Sequence, residues 1–89
     1  MDPKMGQAIS FHAPHGGADF LALRKGRSGQ REIVYDDGVS RRIVWQVEAA
    51  VPEGRLTDAL RLAARSLRIV PALLDELKKR AIPVARVAG

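Results

Sequence analysis

The sequence predicts an α+β fold, with an N-terminal antiparallel β-sheet followed by two C-terminal helices. In residues 1–50, β-branched and aromatic residues alternate with polar ones, which is typical of half-buried strands. Asp36-Asp37-Gly38 lies between two such stretches and predicts a hairpin that turns at residues 36–38. From Leu56 onward the apolar residues recur with a helical period.

The length of the chain favours a single domain spanning residues 1–89. Prolines and glycines interrupt residues 1–18, which we expect to be partly flexible. Since aromatic residues make up only 4% of the chain, the core has to be built from Leu, Ile, Val and Ala. A homodimer would bury more apolar surface than so small a core provides.

The sheet is expected to contain three to four strands. Ile9 and Phe11 alternate with polar neighbours and predict a short first strand, after which residues 12–17 form a loop. The apolar run at residues 20–23 is bracketed by Gly17 and Gly26, which favours a strand over a helix.

The hairpin at residues 36–38 closes the best-defined pair of strands. A two-residue loop would divide the apolar residues between both faces, whereas a three-residue loop with a left-handed Gly38 places Tyr35 opposite Val39. This second register also puts Glu32 opposite Arg42 as a cross-strand ion pair. It collects the following residues on one face: Ile33, Tyr35, Val39, Ile43, Trp45 and Val47.

Two helices are expected at about residues 57–67 and 71–81. Thr57 is a plausible N-cap of the first, and Pro71 suits the first turn of the second. A single helix kinked at Pro71 is the alternative. The inward stripe predicted for the first helix comprises Leu56, Ala59, Leu60, Ala63 and Leu67, and that of the second comprises Leu74, Leu77 and Ala81.

The stretch 63–89 resembles the excisionase-type, MerR-like winged helix-turn-helix DNA-binding proteins. The residues that carry the resemblance are Ala63-Ala64-Arg65, Leu67, Ile69, Pro71-Ala72, Leu74, Leu77, Lys79-Arg80, Ile82-Pro83 and Arg86-Val87. The resemblance implies that helix 71–81 enters the major groove and that the Arg86 region contacts phosphate. The sequence departs from the family at Arg68, where the family has glycine. It also departs at Asp75 and Glu76, because these two carboxylates would face DNA.

Positive charge is concentrated in the predicted helical half of a chain whose net charge is +5. A basic face attracts polyanions, although a solvated helix face would have the same composition. The sequence therefore favours a small DNA-binding regulatory protein of bacterial or phage type. Its expected phosphate contacts are Arg61, Arg65, Arg68, Lys79, Arg80 and Arg86.

A non-enzymatic adaptor or inhibitor that docks on a larger protein is the alternative function. It would use Tyr35, near the hairpin tip, together with the acidic pair Asp75 and Glu76. The free edge of the hairpin would pair with a partner strand.

Catalytic and metal-binding motifs do not stand out. Paired carboxylates at Asp36 and Asp37 are explained by the turn, and His12 and His15 lack further ligands for zinc. We therefore expect no enzyme activity, no cofactor and no metal site.

The chain has no cysteine and no long apolar segment, so a cytoplasmic location without membrane insertion is expected.

Overall fold

A computed structural model describes residues 8–26 and 28–87 and confirms the predicted α+β fold. An antiparallel meander of four strands precedes two helices, and a short fifth strand follows them. The expected three to four strands are at least one too few, because the fifth has only three residues, fewer than the run in which alternation predicts a strand. The elements are β1 (Ala8–His12), β2 (Phe20–Lys25), β3 (Arg31–Asp36), β4 (Arg42–Val47), α1 (Glu53–Ala64), α2 (Ile69–Lys79) and β5 (Ala85–Val87).

The strands form one sheet in the order β1-β2-β3-β4-β5, and each pairs antiparallel with its neighbours. The chain leaves the sheet after β4, forms both helices and returns to place β5 beside β4. The β3–β4 hairpin expected to offer a free edge is therefore internal to the sheet. Within the described residues, β1 and β5 are the edge strands.

Both helices pack on the same face of the sheet, and the core fills the space between them. Trp45, which the sequence places on the apolar face of the hairpin, is only 4% exposed. The core combines alternate strand residues with the inner faces of the helices, and its largest fully buried members are Leu21, Ile33, Val47, Leu56, Leu60, Leu73 and Leu77.

The β3–β4 register differs from the predicted one. Tyr35 lies opposite Ile43, not Val39, and Val39 is 87% exposed in the connecting loop. The Asp37 side chain explains the wider loop, because it accepts hydrogen bonds from the backbone N–H groups of Val39, Ser40 and Arg41. The shift is by an even number of residues, so the predicted apolar face is preserved apart from Val39.

The predicted ion pair between Glu32 and Arg42 is not formed. Glu32 lies opposite Gln46 on β4, and its carboxylate instead pairs with Arg24 on β2, with an Nε–Oε1 distance of 2.7 Å. Arg42 lies opposite Asp36.

Helix α1 begins and ends earlier than predicted. Pro52 occupies the N-cap position, and the Thr57 hydroxyl, expected to cap the helix, donates to the Gly54 carbonyl within it. Proline is well tolerated at this site, because it lacks an N–H group and the first N–H groups of a helix have no intrahelical acceptor. Leu67, predicted on the inward stripe, lies beyond the C-terminus of α1 and is 81% exposed.

Helix α2 is separate from α1, as predicted, but begins at Ile69. Pro71 lies in its first turn, where no intrahelical hydrogen bond is lost. Starting at Ile69 changes the buried stripe to Ile69, Leu73 and Leu77, so Leu74 and Ala81 are exposed instead of inward. Ala81 ends the helix with a positive φ of 55°.

The segment expected to be flexible divides in three. Residues 1–7 lie outside the described residues, residues 8–12 form β1, and the rest belong to the β1–β2 loop. That loop is closed by a hydrogen bond from the Ala13 N–H to the Asp19 carbonyl.

Candidate nucleic-acid interface

The prediction that Arg61, Arg65 and Arg68 form one stripe on the first helix is wrong, because α1 ends at Ala64 and only Arg61 lies within it. Arg61 is exposed but is engaged within the protein. Its Nη1 is 3.1 Å from Asp58 Oδ1, and its guanidinium carbon is 5.7 Å from the centroid of the Phe11 ring. Both members of the ion pair are well exposed, so the pair contributes little stability. It does lower the local positive charge of this face.

The turn between the helices carries two cations. Arg65 is the C-cap residue of α1 and Arg68 is the N-cap residue of α2, and both are exposed. Neither forms an ion pair with any residue in the described part of the chain. Arg65 and Arg68 are therefore the strongest phosphate-binding candidates on the helices.

The basic end of α2 is neutralised internally. Arg80 Nη1 lies 2.6 Å from Glu76 Oε1, and Lys79 Nζ lies 3.6 Å from carboxylate oxygens of both Asp75 and Glu76. The hydrogen bond from Arg80 is the main reason that the pKa of Glu76 is lowered, and Lys79 adds to it. The acidic pair proposed for partner binding thus already serves Lys79 and Arg80.

The helices run antiparallel as a hairpin. Arg55, in the first turn of α1, donates from Nη2 to the carbonyl oxygen of Arg80 at the end of α2, at 2.7 Å. The buried residues of α2 face the core along its whole length, and its outer side carries Leu74, Asp75 and Lys78.

Tyr35 is half-buried on the helix-facing side of the sheet. Its hydroxyl donates to Asp19 Oδ2 at 3.3 Å, which ties β3 to the β1–β2 loop. Burial raises the pKa of Tyr35, and the nearby Asp19 carboxylate raises it further. The other Asp19 oxygen, Oδ1, is buried without a hydrogen-bond partner among the described residues.

The opposite face of the sheet, which we call the open face, contributes none of its strand residues to the core cluster that contains the helices, although its central residues Ala22 and Val34 are only 7% and 4% exposed. Its residues are those that alternate with the core positions, and they lie in rows across neighbouring strands. The central row is Ser10, Ala22, Val34, Val44 and Val87. One flanking row is His12, Phe20, Asp36 and Arg42, and the other is Ala8, Arg24, Glu32, Gln46 and Ala85.

Arg86, the last predicted phosphate contact, is separated from the helical arginines and lines a recess at the β4–β5 end of the sheet. We call this the cationic recess; its lining residues are Arg24, Glu32, Arg42, Ile43, Val44, Arg86 and Val87. Glu32 is the single carboxylate among them, and it is paired with Arg24. Arg42 and Arg86 form no ion pair within residues 8–26 and 28–87, so the recess has excess positive charge.

Arg24 and Arg42 were not identified from the sequence. The predicted register assigned Glu32 to Arg42, which made Arg42 appear neutralised and left Arg24 unassigned. Glu32 on β3 can pair with Arg24 on β2 or with Arg42 on β4, because β3 lies between these two strands. Weighing both strands as neighbours of Glu32 would have identified Arg24 as a possible partner.

Within the described ranges, no group of three or more His, Cys, Asp or Glu side chains is arranged to hold a metal ion. Neither α1 nor α2 has the length and apolar character needed to span a membrane.

Comparisons with protein-family models, curated proteins and solved structures found no match to this chain.

Proposed function

We propose that this protein binds nucleic acid through phosphate contacts and that it has a regulatory function without catalysis. The observation that carries the proposal is the cationic recess, which is lined by three arginines and one carboxylate, and that carboxylate, Glu32, is paired with Arg24. Arginine presents a planar fork of donors that suits phosphate oxygens, and the net charge of +5 adds long-range attraction. A cytoplasmic location belongs to the same proposal.

The cationic recess and the turn between the helices would contribute more to phosphate binding than the end of α2 does. Lys79 and Arg80 already face carboxylates, so phosphate binding there must compete with Asp75 and Glu76. This arrangement also weighs against α2 as a major-groove helix, because its outer side presents carboxylates to a phosphate lattice. Arg65 and Arg68 are the helical residues that remain available.

The test is salt-dependent binding of fluorescein-labelled oligonucleotides, measured by anisotropy for wild type and for Arg42→Gln and Arg86→Gln. Arg41→Gln is the matched control, since Arg41 is exposed beside Arg42 but does not line the recess. Each lost phosphate contact is expected to reduce the slope of log K against log salt by about 0.7 for single strands or 0.9 for duplexes.

The outcomes separate clearly. Weaker binding with a reduced slope for Arg42→Gln and Arg86→Gln, but not for Arg41→Gln, supports the recess. An equal effect of all three substitutions would mean that only net charge matters. Loss confined to Arg65→Gln and Arg68→Gln would move the interface to the helices. If no oligonucleotide binds even at low salt, the proposed function is wrong.

A second candidate function is protein docking, and the edge strand β1 favours it. Ala8–His12 contains neither lysine nor proline, which commonly protect sheet edges, and Ile9 is 45% exposed. We expect the partner to be a second copy of the chain. If two β1 strands pair antiparallel with Ser10 opposite Ser10, Ile9 lies beside Phe11 of the partner subunit.

Light scattering across a concentration series tests this second function. A dimer that Ile9→Lys converts to a monomer would support it, whereas a monomer at all concentrations would contradict it. Ala49→Lys is a suitable control, because Ala49 is exposed and lies outside β1.

A further inference from the structure

We infer that the open face binds single-stranded nucleic acid, with a base stacked on the aromatic pair His12 and Phe20. The inference rests on the proposed function and specifies which form of nucleic acid is bound. His12 and Phe20 are cross-strand neighbours on β1 and β2, and their ring centroids are 5.0 Å apart with planes inclined by 35°. His12 is exposed and Phe20 is half-buried.

The aromatic pair lies on the same sheet face as Arg24 and Arg42 of the cationic recess, whereas Arg86 lies opposite Trp45 and belongs to the other face of edge strand β5. His12, Phe20, Asp36 and Arg42 occupy the same row across four neighbouring strands. With strands about 4.8 Å apart, the row extends roughly 14 Å from His12 on β1 to Arg42 on β4 and roughly 10 Å from Phe20 to Arg42. A chain lying across the strands can therefore place a base on the rings and a phosphate near Arg42.

Asp36 lies between these two ends and provides hydrogen-bond acceptors. Its Oδ1 accepts the Gly38 N–H at 2.7 Å, which fixes the side chain at the end of β3. Oxygen lone pairs that this bond does not use are suited to base amino groups. The neighbouring central row is apolar, but Ala22 and Val34 are only 7% and 4% exposed, so we expect the base to contact mainly the flanking row of His12, Phe20, Asp36 and Arg42.

The aromatic pair favours single strands over duplexes. In a duplex, the base faces are already stacked on one another and are not available to an aromatic side chain. In a single strand, each base has a free π-face that can stack on an aromatic ring, and arginines can follow the backbone. The pattern of an aromatic end and a cationic end on one sheet face fits that ligand.

The experiment compares labelled oligo-dT, oligo-U and a duplex of the same length, each titrated with wild type, Phe20→Leu and Phe11→Leu. Phe20→Leu keeps an apolar side chain but removes the ring. Phe11→Leu is the matched control, because Phe11 is also half-buried and pairs with β2 but faces the helices. His12→Ala is a second variant at an exposed position, where loss of folding is not expected.

Wild type should bind single strands more tightly than the duplex. Phe20→Leu should weaken single-strand binding by about tenfold, within the range measured for base–aromatic stacking, and leave the salt slope unchanged because no charge is altered. His12→Ala should weaken binding in the same direction, and Phe11→Leu should bind as wild type does. Trp45 fluorescence of each variant verifies folding.

Two results would overturn the inference. If Phe20→Leu and His12→Ala bind single strands as wild type does while Arg42→Gln weakens binding, the proposed function stands and the stacking site is wrong. If the duplex binds as tightly as the single strands, the preference inferred from the aromatic pair is wrong. A difference between oligo-dT and oligo-U would identify DNA or RNA as the preferred source of the single strand.

Discussion

Replacing Gly38 by alanine should destabilise the protein through a contact between two loops. Gly38, in the β3–β4 loop, has a φ of 83°, and a Cβ built on it would lie 2.8 Å from the Ala18 Cβ and 2.9 Å from the Ala18 carbonyl oxygen. Gly29 has a φ of 85°, but an added Cβ would meet nothing within 4 Å. Gly29→Ala is therefore a matched control for backbone conformation alone.

The expected magnitudes follow from these distances. An alanine at positive φ costs about 1 kcal/mol, and both variants share this cost. Only Gly38→Ala must also displace the backbone at Ala18, whose loop is held by the Ala13–Asp19 hydrogen bond and the Tyr35–Asp19 hydrogen bond. Overpacking of this kind costs about 2 kcal/mol more, so we expect a total of about 3 kcal/mol for Gly38→Ala.

Urea unfolding followed by Trp45 fluorescence measures the difference, since Trp45 is buried and is the single tryptophan in the chain. In thermal unfolding, Gly38→Ala should melt about 10 °C below Gly29→Ala, since 1 kcal/mol shifts the melting temperature of a domain of this size by about 4–8 °C. Adding Ala18→Gly to Gly38→Ala should recover part of the loss, because it removes one of the two colliding groups. Equal destabilisation by Gly38→Ala and Gly29→Ala would refute the loop–loop contact.

Three further predictions concern other parts of the fold. Ala81→Gly should stabilise the protein by about 0.5–1 kcal/mol in urea unfolding, because Ala81 is exposed and has a positive φ of 55°. A lower midpoint than wild type would contradict this expectation. Arg31→Lys should destabilise by about 1–2 kcal/mol, since Nη2 of Arg31 donates to both the Ala49 and the Val51 carbonyls and the lysine side chain is one bond shorter. An unchanged midpoint would show that the connection to α1 does not need these bonds. Asp37→Asn should destabilise at neutral pH. The N–H donors of Val39 and Arg41 hold the pKa of Asp37 below its ordinary value, so the stabilisation is present above about pH 4 and disappears as the pH falls through the folded-state pKa. Unfolding curves of the two proteins should therefore converge at low pH, and a constant difference would argue against the charge.

The fold class and the buried side of each central strand could be predicted because they depend on local periodicity. Alternation identifies the strands whatever the exact register, and an even shift keeps Ile33 and Trp45 on the same face. The register itself depends on how Asp37 organises the loop, which is a side-chain–backbone geometry that composition does not specify. The helix starts were missed because Pro52 and Pro71 both fall in positions where a missing N–H is not costly.

The candidate site was harder to predict because its residues come from distant parts of the chain. The helical arginines are close in sequence and follow one period, which made them conspicuous. Arg24, Arg42 and Arg86 lie on separate strands, and only the sheet order brings them to one recess. Charge neutralisation is equally non-local for Arg24 and Glu32, whereas the pairing of Arg80 with Glu76 follows an ordinary helical spacing.

The late return of β5 to the sheet has a consequence for synthesis on the ribosome. Gln46 pairs with Ala85, so the partners of β4 and β5 are separated by about forty residues, and this contact forms late for reasons of chain entropy. Until the C-terminal strand emerges, the nascent chain presents the unpaired backbone of β4 beside Trp45. Chaperone contact and aggregation during translation should therefore concentrate on that strand and decline once Ala85–Val87 has been synthesised.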